Sequence, residues 1–234
     1  MHLLKLFIFL ILCQIDCYGC SQDILKGHNQ LLVVTTEEWE SIQGSLQLYE
    51  RDENAVIWRA IGEAIPSVVG LSGLAWGIGL HPAEDKISNK VEGDGKSPAG
   101  IFSLGSAFGH ASVFEMSHLK IDYLHLNAYT EAVDDPLSCY YNCIIDRRTV
   151  IPDWQSSEKM GQEPLYEIGL VINHNFPNPQ RGAGSAIFMH RWRNESSGTA
   201  GCTAMSQENL DALLNWLDRK KNPVLLQLPK NSYK

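Results

Sequence analysis

Past its first twenty residues the chain has no long apolar run, so nothing beyond the N-terminus is written to cross a bilayer as a helix. It has no cluster of Lys and Arg interleaved with aromatic residues, and 27 acidic residues outnumber 19 basic ones for a net charge of -8. That balance argues against a nucleic-acid partner. None of the eight histidines falls in an H-E-x-x-H or other short-spacing pattern, though His174, near a strand end, stands out. Asp134-Asp135-Pro136 reads as a turn, because a calcium loop needs several spaced oxygens and a bidentate acid. No metal and no cofactor is expected. Repeats, low-complexity tracts and linkers are missing between residues 30 and 230, so residues 20–234 are expected to form a single domain.

What the N-terminus does contain is the pattern of an export leader. Leu3 to Cys13 is apolar apart from Lys5 near its start, and polar Gln14 and Asp16 bound it. The run is short for a membrane span but suits the central region of a signal peptide. Residues 1–19 are therefore expected to be a signal peptide, cleaved after small Gly19. Lipidation of Cys20 is the alternative, giving a possible lipid anchor, although Cys17 and Tyr18 fit a lipobox poorly. An exported chain meets an oxidising compartment, where cysteines that can pair tend to do so. Cys139 and Cys143, around Tyr140-Tyr141-Asn142, are close enough in sequence to bridge if the backbone turns there. Cys202 has no obvious partner, and a Cys20–Cys202 disulfide is the alternative to a free thiol kept for its reactivity.

Short β-type runs recur with turn signals between them. Leu31–Thr36, Ser45–Glu50, Ala55–Arg59 and Ile65–Val69 form a meander pattern broken by Gly44 and Asp52-Glu53-Asn54. Further strands are expected at Gly100–Leu104, Tyr141–Ile145, Tyr166–Asn173, Ser185–Met189 and Val224–Leu228. Helix is scarce. Glu37–Ile42 has room for one turn. Ser206 is placed to cap a helix whose Leu210, Leu213, Leu214 and Leu217 share one face, running to about Lys221 before Asn222-Pro223. Arg219-Lys220-Lys221 would then meet the negative end of that helix. The fold class is mainly β with one principal C-terminal helix.

Chemistry concentrates around one cysteine and one histidine. Cys202 lies in Thr199-Ala200-Gly201-Cys202-Thr203, a short loop after His190. A cysteine nucleophile works as the thiolate and needs a base or positive field nearby, and His190 is the local candidate. Gly201 leaves the backbone open beside the thiol, so the Gly201 and Cys202 N–H groups can face a developing oxyanion. Read blandly, the cysteine is a small buried hydrophobe and the histidine a structural hydrogen-bonding residue.

Four segments in sequence order add specificity. Gly93-Asp94-Gly95-Lys96-Ser97-Pro98-Ala99-Gly100-Ile101-Phe102, the Asp134-Asp135-Pro136 and Tyr141-Asn142 region, Gly182 to His190, and Thr199-Ala200-Gly201-Cys202 together resemble the L,D-transpeptidase (YkuD-like) catalytic-domain family. The resemblance covers nearly all of the mature chain and places it in a shorter-loop branch. Ala200 stands where the familiar pattern has a second histidine, and Ala204 where it has a polar residue. What the resemblance implies is a mixed β-sandwich, a bacterial periplasmic or envelope location, and a cysteine enzyme acting on peptidoglycan stem peptides. Cys202 would form a thioester with a stem tetrapeptide, D-Ala would leave, and an amine acceptor would complete a cross-link. Hydrolysis of the thioester would instead make the chain an L,D-carboxypeptidase. A non-catalytic peptidoglycan-binding module is the reading from a different class, favoured by the absence of the second histidine. The resemblance also implies that the backbone carbonyl of Arg191 orients His190.

Three neighbours are candidate substrate-binding residues. Arg191 and Arg193 can meet stem-peptide carboxylates through their planar guanidinium groups, and Trp192 can flank a glycan-peptide groove. Two other motifs are rejected. Ser156-Ser157-Glu158-Lys159 fits S-x-x-K, but there is no K-T-G partner and no evident helix. Gly95-Lys96-Ser97 imitates the end of a P-loop, but Lys90 holds the earlier glycine position and Pro98 blocks the helix that should follow. A thiol-disulfide oxidoreductase would want C-x-x-C, and Cys139 and Cys143 are one residue too far apart.

Overall fold

A computed structural model describes residues 24–53, 55–83 and 89–233. The expected leader, with Cys13, Cys17 and Cys20, lies outside the described residues. The first strands are β1 (Gln30–Thr36), β2 (Gln43–Glu50), β3 (Arg59–Val68), β4 (Leu74–Trp76), β5 (Ser97–Gly109), β6 (Tyr123–His125) and β7 (Thr130–Val133). There follow β8 (Ile144–Asp146), β9 (Ser157–Glu158), β10 (Ile168–Ile172), β11 (Phe188–Arg191), β12 (Thr203–Met205), the helix α1 (Gln207–Trp216) and β13 (Val224–Pro229).

The main sheet has ten strands of mixed direction and runs β10-β11-β12-β3-β2-β1-β13-β5-β4, with β6 added beside β5. It closes on itself through β5. The first half of that long strand pairs with β13, as in Phe102 with Leu225, and its second half with β10, as in Phe108 with Gly169. The core inside this circuit includes Leu32, Val34, Leu46, Phe102, Leu170, Met189 and Leu225, and α1 adds Leu210, Leu213 and Leu214. A second sheet of three strands, β8-β7-β9, stands apart. The mainly β, mixed-strand architecture with one principal C-terminal helix is the one the family resemblance implies.

The helix begins as expected, with the Ser206 side chain accepting a hydrogen bond from the Asn209 N–H. It ends earlier than expected. Leu217 turns extended at φ -60° and ψ 137°, and Arg219–Lys221 form a separate 3-10 turn. These basic residues meet carboxylates rather than the helix end: Arg219 pairs with Asp122 at 2.6 Å and Lys221 with Glu50 at 2.5 Å. Residues 55–58 precede β3 instead of forming a strand, and Glu37–Ile42 hold only a turn. Expected strands at Tyr141–Ile145 and Ser185–Met189 start later, because Asn142 (φ 61°), Gly184 (φ 97°) and Ala186 (φ 52°) leave the extended region. Cys139 and Cys143 are both free, so the bridge their spacing would allow is not made. Gly93 (φ 73°) and Gly95 (φ 69°) make a turn into β5, and Ser157-Glu158, where the sequence shows no evident helix, is strand. Among the described residues, no helix is long and apolar enough to cross a membrane.

Candidate functional site

Strands β11 and β12 run parallel with Met189 opposite Thr203 and His190 opposite Ala204. Alternation along the two strands puts Cys202, Ala204, Phe188 and His190 on one side of the sheet. Both Cys202 and His190 line a cavity of about 480 Å³, together with Glu158, Glu163, Tyr166, Trp192, Arg193 and Thr199. The cavity is walled by His190 at the end of β11 with the segment from Trp192 to Cys202, by the stretch from Glu158 of β9 to Tyr166 of the 3-10 segment Pro164–Tyr166, and by Leu71.

The nucleophile candidate is buried at 5% exposure. Its thiol donates to the Ala186 carbonyl at 3.6 Å, and the Phe188 N–H and the Tyr166 hydroxyl act to lower its pKa. Burial pushes the Cys202 thiol up to about 12, and the nearby Glu158 charge adds to the shift. Lys90 acts weakly the other way. Lys90 is itself buried behind the loop and paired with Asp94 at 2.7 Å, and a Cβ added to Gly201 would lie 3.6 Å from its Nζ.

His190 is also buried, and this lowers its pKa below 6.5. Its Nδ1 lies 2.8 Å from the Arg191 carbonyl, the main-chain acceptor implied by the resemblance. A carbonyl can only accept, so Nδ1 carries the proton and Nε2 keeps its lone pair. The Tyr166 ring holds the imidazole edge-on, with centroids 5.2 Å apart and planes at 66°. In the resting site, thiol and imidazole are therefore both neutral.

The Cys202 loop is tied down on two sides. The Cys202 carbonyl accepts from Ser97 Oγ at 2.8 Å and from Thr199 Oγ1 at 2.5 Å. Thr199 Oγ1 in turn accepts from the Gly201 N–H at 3.1 Å, so that N–H already has a partner. Gly201, at φ 157°, holds a conformation L side chains rarely adopt, and an added Cβ would press on the Lys96 carbonyl at 3.1 Å. The facing turn is held just as firmly. Asn142 Oδ1 accepts the Ala186 N–H at 3.1 Å, Ser185 Oγ donates to Glu92 at 2.7 Å, and the Gly184 N–H donates to the Tyr141 hydroxyl at 3.1 Å. These bonds keep Ala186 left-handed, against a cost of about 1–2 kcal/mol, with its carbonyl toward the thiol.

The three substrate-binding candidates separate. Trp192 and Arg193 line the cavity. Arg191 does not: it donates to the Pro164 carbonyl at 3.1 Å and lies 3.9 Å from Glu167, which braces the Pro164–Tyr166 wall. Sequence reasoning missed Glu158, Glu163 and Tyr166. Glu158 sits in a hydrophilic Ser-Ser-Glu-Lys run that reads as exposed, and Tyr166 was assigned only to a strand.

A buried thiol and a buried, carbonyl-oriented imidazole on adjacent parallel strands of a closed mixed sheet define a cysteine–histidine site of the acyl-transfer type. The match to the model of the L,D-transpeptidase catalytic domain over residues 43–226 makes the relation specific: the chain belongs to that family, whose members are typically cysteine-dependent enzymes that modify cell-wall peptidoglycan. Among solved structures, it is similar to the helical cell shape determining protein Pgp2 from Campylobacter jejuni, at 17% identity and a TM-score of 0.39. The match covers 85% of this chain and 48% of that one, and is too distant to bear on function. No curated protein matches.

Proposed function

We propose that the chain is a peptidoglycan L,D-transpeptidase, exported to the bacterial periplasm or envelope, with Cys202 as nucleophile and His190 as base. The observation that carries this reading is the pair itself: both side chains open into one cavity, and the Arg191 carbonyl fixes His190 with Nε2 free to take a proton. The stem tetrapeptide binds with the carbonyl before its terminal D-Ala beside the sulfur. Because the resting pair is neutral, the thiol proton passes to His190 Nε2 as the S–C bond forms. The oxyanion is met by the Cys202 N–H. The Gly201 N–H joins only by sharing or leaving Thr199 Oγ1. The C–N bond then breaks, His190 returns its proton to the amine of D-Ala, and a thioester remains. An acceptor amine attacks the thioester, passes its surplus proton to His190, and the thiol is restored. Arg193 and Trp192 are positioned to contact the stem peptide at the cavity rim, whereas Arg191 acts through the wall it braces.

Incubating the reduced, folded mature protein with tetrapeptide muropeptides, beside Cys202→Ala, tests the reading by product mass. Cross-linked dimers are the expected product. Tripeptides alone would make the chain an L,D-carboxypeptidase, and no mass change would leave a peptidoglycan-binding module.

A further inference from the structure

We propose that Lys90 is a positioning residue for the chemistry at Cys202: its buried ammonium lies behind the Gly201–Cys202 backbone and supports the negative charge that develops there during attack. The inference rests on Cys202 being the reactive group of the site. Lys90 is 5% exposed, and a buried ion pair of this kind adds little net stability, so its place in the fold calls for another role. Its main chain is fixed, the Lys90 N–H donating to the Trp76 carbonyl at 2.8 Å. From there the side chain runs between the two segments that hold the thiol. A Cβ added to Gly184 would lie 2.8 Å from the Lys90 Cε, and one added to Gly201 3.6 Å from its Nζ. Glycine at 184 leaves room for the stem, and glycine at 201 lets the ammonium approach the nucleophile's own backbone.

Asp94 fixes the ammonium and offsets part of its charge. Lys90 Nζ donates to Asp94 Oδ1 at 2.7 Å, and the same carboxylate accepts the Lys96 N–H at 2.9 Å and the Val91 N–H at 3.0 Å. Burial raises the Asp94 pKa, but the bonds from Lys90, Val91 and Lys96 outweigh it and bring the pKa below 3.8. The carboxylate thus shares its charge among three donors, while the ammonium has no second carboxylate partner among the described residues. Of the groups nearby, Glu92 is taken by Ser185 Oγ and the Tyr141 hydroxyl, and His174 Nε2 donates to the Ala183 carbonyl. What is left of the positive charge falls on the Gly201–Cys202 peptide, and burial keeps it from being screened. The resting thiol stays neutral. The ammonium counts when the sulfur, and then the carbonyl oxygen, carries charge. Lys90 keeps its proton throughout, and the thiol proton still goes to His190.

The test is the rate at which Cys202 is alkylated at pH 7.5, read on the Cys202 peptide by mass spectrometry with the full mature chain. Lys90→Met keeps the length of the stem and removes the charge, and alkylation by neutral iodoacetamide should slow about fivefold. A lysine that only braces the loop predicts the opposite sign, because a loosened loop exposes a buried thiol and speeds alkylation. Iodoacetate carries a negative charge, so its rate should fall about twofold further than that of iodoacetamide. A general closing of the site would slow both reagents equally. If Lys90→Met fails to fold with Asp94 left unpaired, Lys90→Met combined with Asp94→Asn removes both charges, and iodoacetamide alkylation should slow about twofold. A rate at or above the parent's in a variant that folds overturns the proposal, as does equal slowing of the two reagents. Failure of both variants to fold assigns the pair to stability and overturns it as well. Alkylation needs no peptidoglycan, so this outcome is independent of whether the chain turns over stem peptides.

Discussion

At Cys202 burial opposes ionisation, and the smaller opposing influences of the Phe188 N–H, the Tyr166 hydroxyl and Lys90 leave the thiol protonated at rest. Lys90 is close but spends its charge on Asp94, so the base must act during attack. The same burial governs His174, whose Nδ1 accepts the Ile78 N–H at 3.2 Å and whose Nε2 donates to the Ala183 carbonyl at 2.9 Å. Its pKa falls to about 4 from 6.5. The folded state therefore resists protonation that the unfolded chain accepts. The stability involved is fully present above pH 6.5 and is lost as pH falls toward 4. Between pH 7.5 and 4.5 the loss from this one group should be about 2–3 kcal/mol. Urea melts at the two pH values would measure it, and His174→Gln should flatten the difference. His190 and Cys202 are legible in the sequence because their chemistry names them and their spacing is short. Glu158 and Tyr166 are not, because their importance comes from packing between β9, the Pro164–Tyr166 turn and β11, which no local pattern encodes.

Among the elements, β5 shows why a strand can hide. Gly105 and Gly109 resemble breakers, yet a Cβ on Gly105 would lie 2.9 Å from Val171 and one on Gly109 2.4 Å from the Glu167 carbonyl. These glycines let β10 approach closely. Five residues of the strand, from Gly100 to Leu104, are readable from their β-type character, while the half that closes the sheet is not. The helix is easier, since its leucine spacing and serine cap are local features. Ser206 follows directly on β12, so its cap joins the Cys202 segment to the core. Ser206→Ala should cost about 1 kcal/mol in a urea melt, with the loss confined to stability. The 3-10 turn after the helix escapes sequence reading because its partners, Asp122 and Glu50, are distant in the chain.

For the molecule as a whole, closure of the sheet is what gives two short strands a fixed register at the cavity. The family match starts at residue 43, and β1, before it, fills the gap between β2 and β13 and completes the circuit. One rigid framework thus presents β11 and β12 on one side, while the small sheet brings Glu158 to the other. The account stands on covalent capture of a peptide acyl group by Cys202. Rapid acid quenching of the mature protein with a tetrapeptide muropeptide, followed by intact mass measurement, tests this directly. The account predicts an adduct with the mass of the muropeptide less D-Ala, absent from Cys202→Ala and strongly reduced in His190→Ala. Continued release of D-Ala by Cys202→Ala, with no adduct on the parent protein, would contradict it.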